Sequence, residues 1–464
     1  TKFVLSMKEQ IRSPTENKFA ALVHAQEYHL VPEFTLESGV TLHNVTAAYK
    51  TWGKLNATKD NVMVICHALT GSADVEDWWG PLIGKGRAFD TSKFFIFCGN
   101  VLGSPYGTTS PVTVNPDTGR IYGPEFPLTT TRDDVRLHKL VLDHLGVRQI
   151  AIVVGGSMGG MAVLEWAFLG ADYVKTIVPI ATSARHSAWC ISWGEAQRQS
   201  IYSDPKYLDG YYDPNDSPNT GLAAARMTAL LTYRSRISFE SRFGRKYQDP
   251  SKHPAGKLNQ PKIIPTTPAE EALLMHNEGH RSENIINGVY FNSSDSNGNI
   301  DNIKKEFSTA ASTSLFSAQS YLRYQGEKFV MRFDANCYIS LSRKMDAHDV
   351  TTGRGEQLDQ VLSKITQSAM VIGIESDGLF TISEQQELAD HMPNSEMVRI
   401  QSPEGHDGFL LEFDQINRHI LRFIRTHLSE IYQREDTATE QEERLVATKN
   451  SLFGEAEVGD MLKW

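Results

Sequence analysis

Short apolar runs recur along the chain and predict buried β-strands. Four follow one another between residues 62 and 181, and two more come after residue 368: VMVICH (62–67), FFIFC (94–98), IAIVV (150–154), TIVPIA (176–181), AMVIGI (369–374) and MVRI (397–400). Runs that are apolar nearly throughout are typical of central strands covered on both faces. Helical stretches separate the strands: Asp134–Leu145, Met158–Leu169, Ser383–His391 and Phe413–Tyr432. This alternation predicts an α/β fold with a mostly parallel central sheet flanked by helices.

The alternating pattern stops between residues 184 and 349. This segment contains helical stretches and polar stretches rich in Pro, Gly and Asn, such as NSSDSNGN (292–299). A gap of this length is far beyond an ordinary loop, so we predict an inserted, mainly helical lid domain with a polar loop insertion. The predicted core is then 1–183 together with 350–432, and 433–464 forms a charged C-terminal tail.

Composition narrows the functional class. The chain has 464 residues, and 46 Lys and Arg against 56 Asp and Glu give a formal net charge of −10. This balance argues against a nucleic-acid-binding protein, which would show a basic surplus. No apolar stretch approaches about 18 residues and the first residues lack an apolar signal segment, so neither a membrane span nor secretion is expected. The four cysteines lie far apart and the histidines lack ligand spacing, so we expect a cytoplasmic protein without a metal site.

The segment IAIVVGGSMGGMAVLEWA (150–167) carries the most specific chemical signal. A buried strand runs into GGSMG (155–159) and a helix follows, which is the context that a G-x-S-x-G nucleophile elbow requires. Glycines at both ends of the motif permit a tight turn, and the hydroxyl of Ser157 is then presented above the sheet near a helix N-terminus. A plain glycine-rich turn and a phosphate-binding loop are the alternatives, although the GK[ST] and GxGxxG patterns of the latter are missing.

A serine nucleophile needs a base that is itself oriented by a carboxylate, and in this fold each follows a late strand. Asp377 follows the fifth predicted strand and His406 follows the sixth. Glu375 is the rival carboxylate; Asp377 is preferred because it lies further into the loop, beside a glycine. We therefore predict Ser157, Asp377 and His406 as a catalytic triad.

Acyl transfer also needs two backbone N–H groups that hold the developing oxyanion. One is expected from Met158, the residue after the nucleophile. The other is expected from HALTG (67–71), the loop after the first predicted strand. Leu69 or a neighbour is the candidate donor there, and an ordinary strand-end turn is an equal alternative.

Several motifs occur together in one order: HALTGS (67–72), GGSMGG (155–160), ARMTALLTYRS (225–235), SDGLF (376–380) and GHDGF (405–409). Together with QGEKFVMRFDANCYISLSRKMDAHD (325–349), they resemble the homoserine O-acetyltransferase family, particularly its fungal members, over roughly residues 34–428. The resemblance implies an α/β-hydrolase fold. The polar stretch near 249–310 resembles an insertion of the fungal members, and Gly408 stands where many relatives carry Ala.

The resemblance implies a reaction as well as a fold. It implies ping-pong transfer of an acetyl group from acetyl-CoA to the γ-hydroxyl of L-homoserine, a step toward methionine, with acetyl-CoA as co-substrate and no bound cofactor. Arg226 is implied as the partner of the homoserine carboxylate and Asp407 as the partner of its ammonium, with Tyr233 supporting Arg226. From the residues alone, a helix-surface charge at Arg226 and a capping role for Asp407 are the alternatives.

The motifs leave related chemistry open. The acceptor could be serine or another alcohol, the donor could be succinyl-CoA, or water could take the acyl group, as in an esterase. The expected partners are small molecules without nucleic acid or membrane, and the resemblance implies a homodimer. The basic run RFGRK (242–246) could meet the CoA phosphates, but a solvated loop is the preferred interpretation.

Overall fold

The computed structural model describes residues 17–247, 267–278, 280, 316–355 and 357–434. They form two compact units: the larger holds the residues up to Ser241 and from Gln325 onward, and the smaller holds those from Arg242 to Tyr324. Most of the predicted polar loop at 249–310 and all of the predicted tail beyond residue 434 lie outside the described residues.

The larger unit is built on one eight-stranded sheet. Its strands are β1 Glu27–Thr35, β2 Thr41–Trp52, β3 Val62–Cys66, β4 Phe95–Gly99, β5 Ile150–Gly156, β6 Val174–Ile180, β7 Ser368–Ile374 and β8 Ser395–Ile400. They are ordered β1-β2-β4-β3-β5-β6-β7-β8. β1, β2 and β4 pair antiparallel, and the remaining pairs are parallel. The six predicted strands are all present, with ends that differ by at most two residues.

The parallel strands are buried because both faces of the sheet are covered. In β3, Val62 and Val64 pack into the hydrophobic cluster on one face, whereas Met63 and Ile65 pack into the cluster on the other. Successive side chains of a strand point to opposite faces, so a strand between two cores must be apolar at every position. The predicted α/β fold is therefore confirmed.

Helices cover the sheet and form most of the described residues between β6 and β7. They are α1 Val75–Trp79, α2 Thr131–His144, α3 Met158–Ala167, α4 Ala188–Tyr202, α5 Asn219–Tyr233, α6 Arg236–Arg242, α7 Pro268–His276, α8 Ser317–Val330, α9 Ala335–Asp346, α10 Leu358–Leu362, α11 Ile382–His391, α12 Gly408–Leu411, α13 Phe413–His427 and α14 Ser429–Tyr432. The prediction of one uninterrupted final helix is wrong, because Leu428 (φ −129°, ψ 34°) leaves the helical conformation and separates α13 from α14.

The antiparallel pair β1 and β2 was not predicted. β1 is the edge strand of the sheet, contains Pro32, and buries only Val31 and Phe34 fully. A proline is tolerated on an edge strand because its missing N–H breaks no ladder hydrogen bond there. An edge strand with so few buried positions lacks the continuous apolar run by which the central strands are found.

The segment between β6 and β7 leaves and rejoins the core at neighbouring points. The Val350 N–H donates to the Ala184 carbonyl (3.0 Å), and the His186 N–H donates to the His348 carbonyl (2.9 Å). Helices α4, α5 and α9 belong to the same compact unit as the sheet. The boundaries 183/184 and 349/350 of the predicted lid remain predictions, and the division between compact units falls instead at Arg242 and Gln325.

The smaller unit contains α7 and the first part of α8. Thr267 caps α7: its hydroxyl accepts from the Glu270 N–H (3.2 Å), and the Glu270 carboxylate accepts from the Thr267 N–H (3.2 Å). This reciprocal arrangement satisfies two amide groups that a helix N-terminus otherwise leaves without an acceptor.

Candidate active site

Ser157 occupies the sharp turn between β5 and α3. Its backbone has φ 58° and ψ −125°, a conformation that costs about 1–3 kcal/mol and persists only where neighbouring contacts enforce it. Two contacts to the end of β6 enforce it here: the Ser157 N–H donates to the Ile180 carbonyl (3.0 Å), and the Thr182 hydroxyl donates to the Ser157 carbonyl (2.9 Å). The sequence therefore builds the strained turn that a nucleophile elbow requires.

The glycines around Ser157 are dictated by packing. A Cβ on Gly155 would lie 2.5 Å from the Gly159 carbonyl oxygen, and a Cβ on Gly156 would lie 2.5 Å from the ring of Phe409. Such distances are too short for any side chain, so only glycine permits the turn. Phe409 lies three residues after His406, and this contact therefore ties the elbow to the histidine loop.

Asp377 and His406 form a buried pair at the end of the same sheet. Asp377 Oδ2 lies 2.7 Å from His406 Nδ1, while Oδ1 accepts the N–H groups of Leu379 (2.8 Å) and Phe380 (2.9 Å). His406 is 3% exposed. A carboxylate at Nδ1 fixes the ring orientation and leaves Nε2 to take and return a proton, as in a serine triad. The rival Glu375 is exposed, and its nearest cation is Arg399 at 3.8 Å.

The loops that carry Asp377 and His406 are bound to each other and to α5. The Ser376 hydroxyl donates to the Ser402 carbonyl (2.6 Å) and accepts the Gly405 N–H (2.8 Å). Gly405 has φ +71°, and a Cβ there would lie 2.6 Å from the Ser235 nitrogen. Only glycine fits such a positive φ beside another backbone.

The two predicted oxyanion donors lie at the ends of β3 and β5. Met158 is the first residue of α3, and the first amide groups of a helix have no acceptor within it. Leu69 lies in a turn closed by the Gly71 N–H, which donates to the Ala68 carbonyl (3.0 Å). The same carbonyl is contacted by His67 Nδ1 at 2.8 Å, and Nε2 of that ring accepts the Val101 N–H at 3.2 Å. Burial lowers the pKa of His67 to about 4, so the ring is neutral with its proton on Nδ1.

Arg226 lies on the buried face of α5 rather than on a helix surface. It is 2% exposed. Its guanidinium lies over the rings of Phe329 (4.9 Å) and Tyr233 (5.8 Å). Tyr233 in turn lies 6.1 Å from the ring of His406. A buried guanidinium can bind a carboxylate, and Tyr233 contacts both this guanidinium and the His406 ring.

Asp407 is fully buried and is paired with Arg234, which was not among the predicted site residues. Asp407 Oδ2 lies 2.8 Å from Arg234 Nε, and Arg234 Nη1 donates to Glu404 at 2.6 Å. The Ser238 hydroxyl also donates to Glu404 at 2.6 Å. One arginine therefore joins the end of α5 to residues on both sides of His406, and any ammonium bound by Asp407 shares that carboxylate with Arg234.

Comparison with known proteins identifies the relatives of this chain. A family model described as alpha/beta hydrolase fold matches residues 61–413. Homoserine O-acetyltransferases from Emericella nidulans (54% identity, 98% of each chain), Ascobolus immersus (52%, 98% of this chain and 97% of the relative) and Schizosaccharomyces pombe (51%, 97% and 96%) match over almost the whole length. The chain belongs to the homoserine O-acetyltransferase family.

Solved structures support the fold of this family member. The homoserine O-acetyltransferase from Bacillus anthracis superposes with a TM-score of 0.69 at 21% identity, covering 86% of this chain and 97% of its own. Esterase E22 gives 0.68 at 23% identity, covering 86% and 99%. At these identities the likeness concerns the α/β-hydrolase fold alone.

Three residues that were not predicted lie in or contact the loops that carry the predicted site residues: Arg234, Glu404 and Arg332. Arg234 and Arg332 were within motifs already recognised, ARMTALLTYRS and QGEKFVMRFDANCYISLSRKMDAHD, but nothing in the spacing set them apart from surface charges. Both are almost completely buried.

Within the described parts of the chain, no group of three or more His, Cys, Asp and Glu side chains could hold a metal ion, and no helix combines the length and apolar character of a membrane span.

Proposed function

We propose that this chain transfers the acetyl group of acetyl-CoA to the side-chain hydroxyl of L-homoserine through an acetyl-Ser157 intermediate. The observation that carries the proposal is the buried Asp377–His406 pair at the sheet edge that also bears the strained Ser157. Serine, base and carboxylate are the groups that covalent acyl transfer requires. Membership of the homoserine O-acetyltransferase family supports an acetyl group as the group transferred and homoserine as its acceptor. Acetyl-CoA as the donor is part of the proposal.

In the first half-reaction Ser157 is acetylated. His406 Nε2 takes the hydroxyl proton as Ser157 Oγ attacks the thioester carbon. The negative charge on the carbonyl oxygen is held by the N–H groups of Leu69 and Met158; loss of one such donor typically costs about 2.7–4 kcal/mol. The carbon–sulfur bond then breaks, and CoA leaves as a thiol with the proton from His406. Asp377 stabilises the imidazolium that forms in between.

In the second half-reaction the acetyl group moves to the acceptor. The homoserine hydroxyl gives its proton to His406 Nε2 while its oxygen attacks the acetyl carbon, and Ser157 Oγ leaves and recovers a proton. Arg226 binds the acceptor carboxylate with support from Tyr233, and Asp407 binds the ammonium. Binding both ends of the zwitterion orients the hydroxyl, which lowers the barrier through proximity.

Water competes with homoserine for the acetyl group, so a transferase must restrict water at the intermediate. The burial of Ser157, His406, Arg226 and Asp407 supports this requirement. Acetyl-CoA enters as a co-substrate, and the scheme uses no bound cofactor. A homodimer and a cytoplasmic location remain predictions; light scattering of the purified chain tests the first.

A thiol-release assay tests the proposed function. Acetyl-CoA and succinyl-CoA are each offered with L-homoserine, L-serine or no acceptor, and the products are identified by mass spectrometry. We expect fast release only with acetyl-CoA plus L-homoserine, together with O-acetylhomoserine. Release that is equally fast without an acceptor would assign the chain to hydrolysis, and a preference for serine or succinyl-CoA would replace the proposed acceptor or donor.

A further inference from the structure

A third buried arginine contacts the loop that supplies one of the proposed oxyanion donors. Arg332 lies between α8 and α9 and is 6% exposed. Its Nη1 donates to the Thr70 carbonyl (3.0 Å) and to the Tyr106 hydroxyl (3.0 Å), and that hydroxyl donates to the Arg332 carbonyl (2.9 Å). The guanidinium also lies 5.0 Å from the ring centroid of Phe329.

The contacts of Arg332 are unusual for a buried charge. Among the described residues, its side chain bonds to two neutral oxygens and an aromatic ring, and it forms no ion pair with a carboxylate. Because a buried charge is weakly screened, Arg332 strongly polarises the two oxygens that accept its hydrogen bonds. The positive field of Arg332 also extends to Tyr106, where burial raises the phenol pKa to about 12 while Arg332 acts in the opposite direction.

The Thr70 carbonyl is the first link of a hydrogen-bonded chain that ends at Leu69. It belongs to the same peptide group as the Gly71 N–H, which donates to the Ala68 carbonyl. The Ala68 carbonyl belongs to the same peptide group as the Leu69 N–H. Successive hydrogen bonds polarise one another, so a cation on the Thr70 oxygen makes the Leu69 N–H a stronger donor. His67 donates to the Ala68 carbonyl as well and acts in the same direction.

We propose that Arg332 is a positioning residue for acyl transfer, which orients and polarises the Leu69 amide through Thr70, Gly71 and Ala68. The inference rests on the proposed function, because it requires Leu69 to stabilise the oxyanion. Arg332 touches no reacting atom. It supplies a fixed positive charge behind the oxyanion loop from a segment that lies 262 residues away in the chain.

The test measures acetylation of Ser157 separately from acetyl transfer. The full chain and its Arg332→Met variant react with p-nitrophenyl acetate, and the burst of p-nitrophenol gives the acetylation rate per titrated active site. We expect the acetylation rate to drop about 10- to 100-fold. Complete loss of an oxyanion donor typically lowers a rate by more than this, whereas a small misplacement of a reacting group lowers it by a similar factor. The KM for homoserine should change less than the acetylation rate, and added guanidinium should restore part of the rate in Arg332→Ala.

A spectroscopic measurement and a control substitution at a second arginine distinguish positioning of the Leu69 amide from general stabilisation of the fold. In Arg332→Met the carbonyl stretch of the ¹³C-acetyl-enzyme should move to higher wavenumber, because a weaker Leu69 donor polarises the acyl carbonyl less. Arg354→Met removes a partly buried arginine, which binds Glu165 and stacks on Phe168 at 3.8 Å. This control should lower thermal stability without changing the rate per active site or the carbonyl stretch.

Two results would overturn the proposal. One is an Arg332→Met acetylation rate and carbonyl stretch equal to those of the unsubstituted chain, and the other is an equal loss in Arg354→Met. The p-nitrophenyl acetate reaction needs neither CoA nor homoserine. Failure of acetyl transfer to homoserine would therefore refute the proposed function while the Arg332 comparison could still be judged.

Discussion

The loops at the ends of the strands and the arginines that face them are held in different ways. Asp377 accepts amide groups two and three residues further along the chain, and its bond to His406 spans 29 residues. By contrast, the bond from Arg234 to Glu404 spans 170 residues and the bond from Arg332 to Thr70 spans 262. The nucleophile and its base are therefore held largely by the sheet and its turns, whereas the proposed positioning arginines act through contacts between segments that are distant in the chain.

This difference suggests a division of labour between the two regions. The strand-end loops carry the bond-making groups, so their loss should stop both half-reactions. The arginines at α5 and before α9 carry binding and positioning, so their loss should lower a rate or a binding affinity without stopping either half-reaction. Substitutions on each side can break or sharpen this distinction.

The largest effect is expected for Ser157→Ala. Without the hydroxyl no acetyl-enzyme forms, and turnover should fall about 10⁶-fold, as it does when a serine nucleophile is removed from comparable triads. Mass spectrometry after incubation with acetyl-CoA checks the result directly. Ser192→Ala, an exposed serine on α4, should leave labelling intact. Persistent acetylation of the Ser157→Ala variant at a rate equal to that of the unsubstituted chain would disprove the elbow assignment.

A second test compares the two carboxylates that follow β7. Asp377→Asn keeps the shape of the side chain but favours the wrong histidine tautomer, so kcat should fall about 10⁴-fold. Glu375→Gln should change kcat little, because Glu375 is exposed and its carboxylate lies 3.8 Å from Arg399, too far for a strong ion pair. Steady-state kinetics of both variants decide the question, and a larger loss in Glu375→Gln would reverse the assignment.

The fold could be predicted from the sequence where burial dictates it. β3, β5, β6 and β7 are covered on both faces, so their apolar runs identify them. β1 was not predicted because an edge strand needs few buried positions and so lacks a continuous apolar run. The break at Leu428 between α13 and α14 was not predicted because the apolar pattern continues across it and no residue there indicates a helix end.

The residues of the candidate site also divide into those that the sequence predicts and those that it does not. Ser157, Asp377 and His406 could be found because a strained turn needs glycine and because the ends of parallel strands meet at one edge of a sheet. The pairing of Asp407 with Arg234 could not be found, since the partner of a charged residue depends on contacts between segments that are distant in the chain. The burial of Arg332 against neutral oxygens could not be predicted for the same reason.

A smaller effect is expected for Arg226→Met. Hydrogen bonds to charged groups contribute about 1.5–3 kcal/mol, so the KM for homoserine should rise about 10- to 150-fold while acetylation by acetyl-CoA is retained. Arg226→Lys keeps the positive charge but loses the planar guanidinium. Its KM for homoserine should therefore lie between those of the unsubstituted chain and Arg226→Met. Kinetics of the separate half-reactions check this expectation. Equal loss of both half-reactions would place Arg226 with the strand-end loops instead.

The smallest effect on turnover is expected for Glu404→Gln. This substitution weakens the contact between Arg234 and the histidine loop but leaves the Arg234–Asp407 pair in place. The unfolding free energy should fall by about 1–3 kcal/mol, because an ion pair between Arg234 and a carboxylate is replaced by a hydrogen bond to a neutral amide oxygen. Since His406 serves both half-reactions, any change in rate should be equal in the two. Glu396→Gln in β8 removes an exposed ion pair with Arg422 and should cost only about 0–1 kcal/mol. Chemical denaturation of both variants, combined with single-turnover rates, measures these quantities. A change confined to the acceptor half-reaction would show that Arg234 and Glu404 bind homoserine rather than support His406.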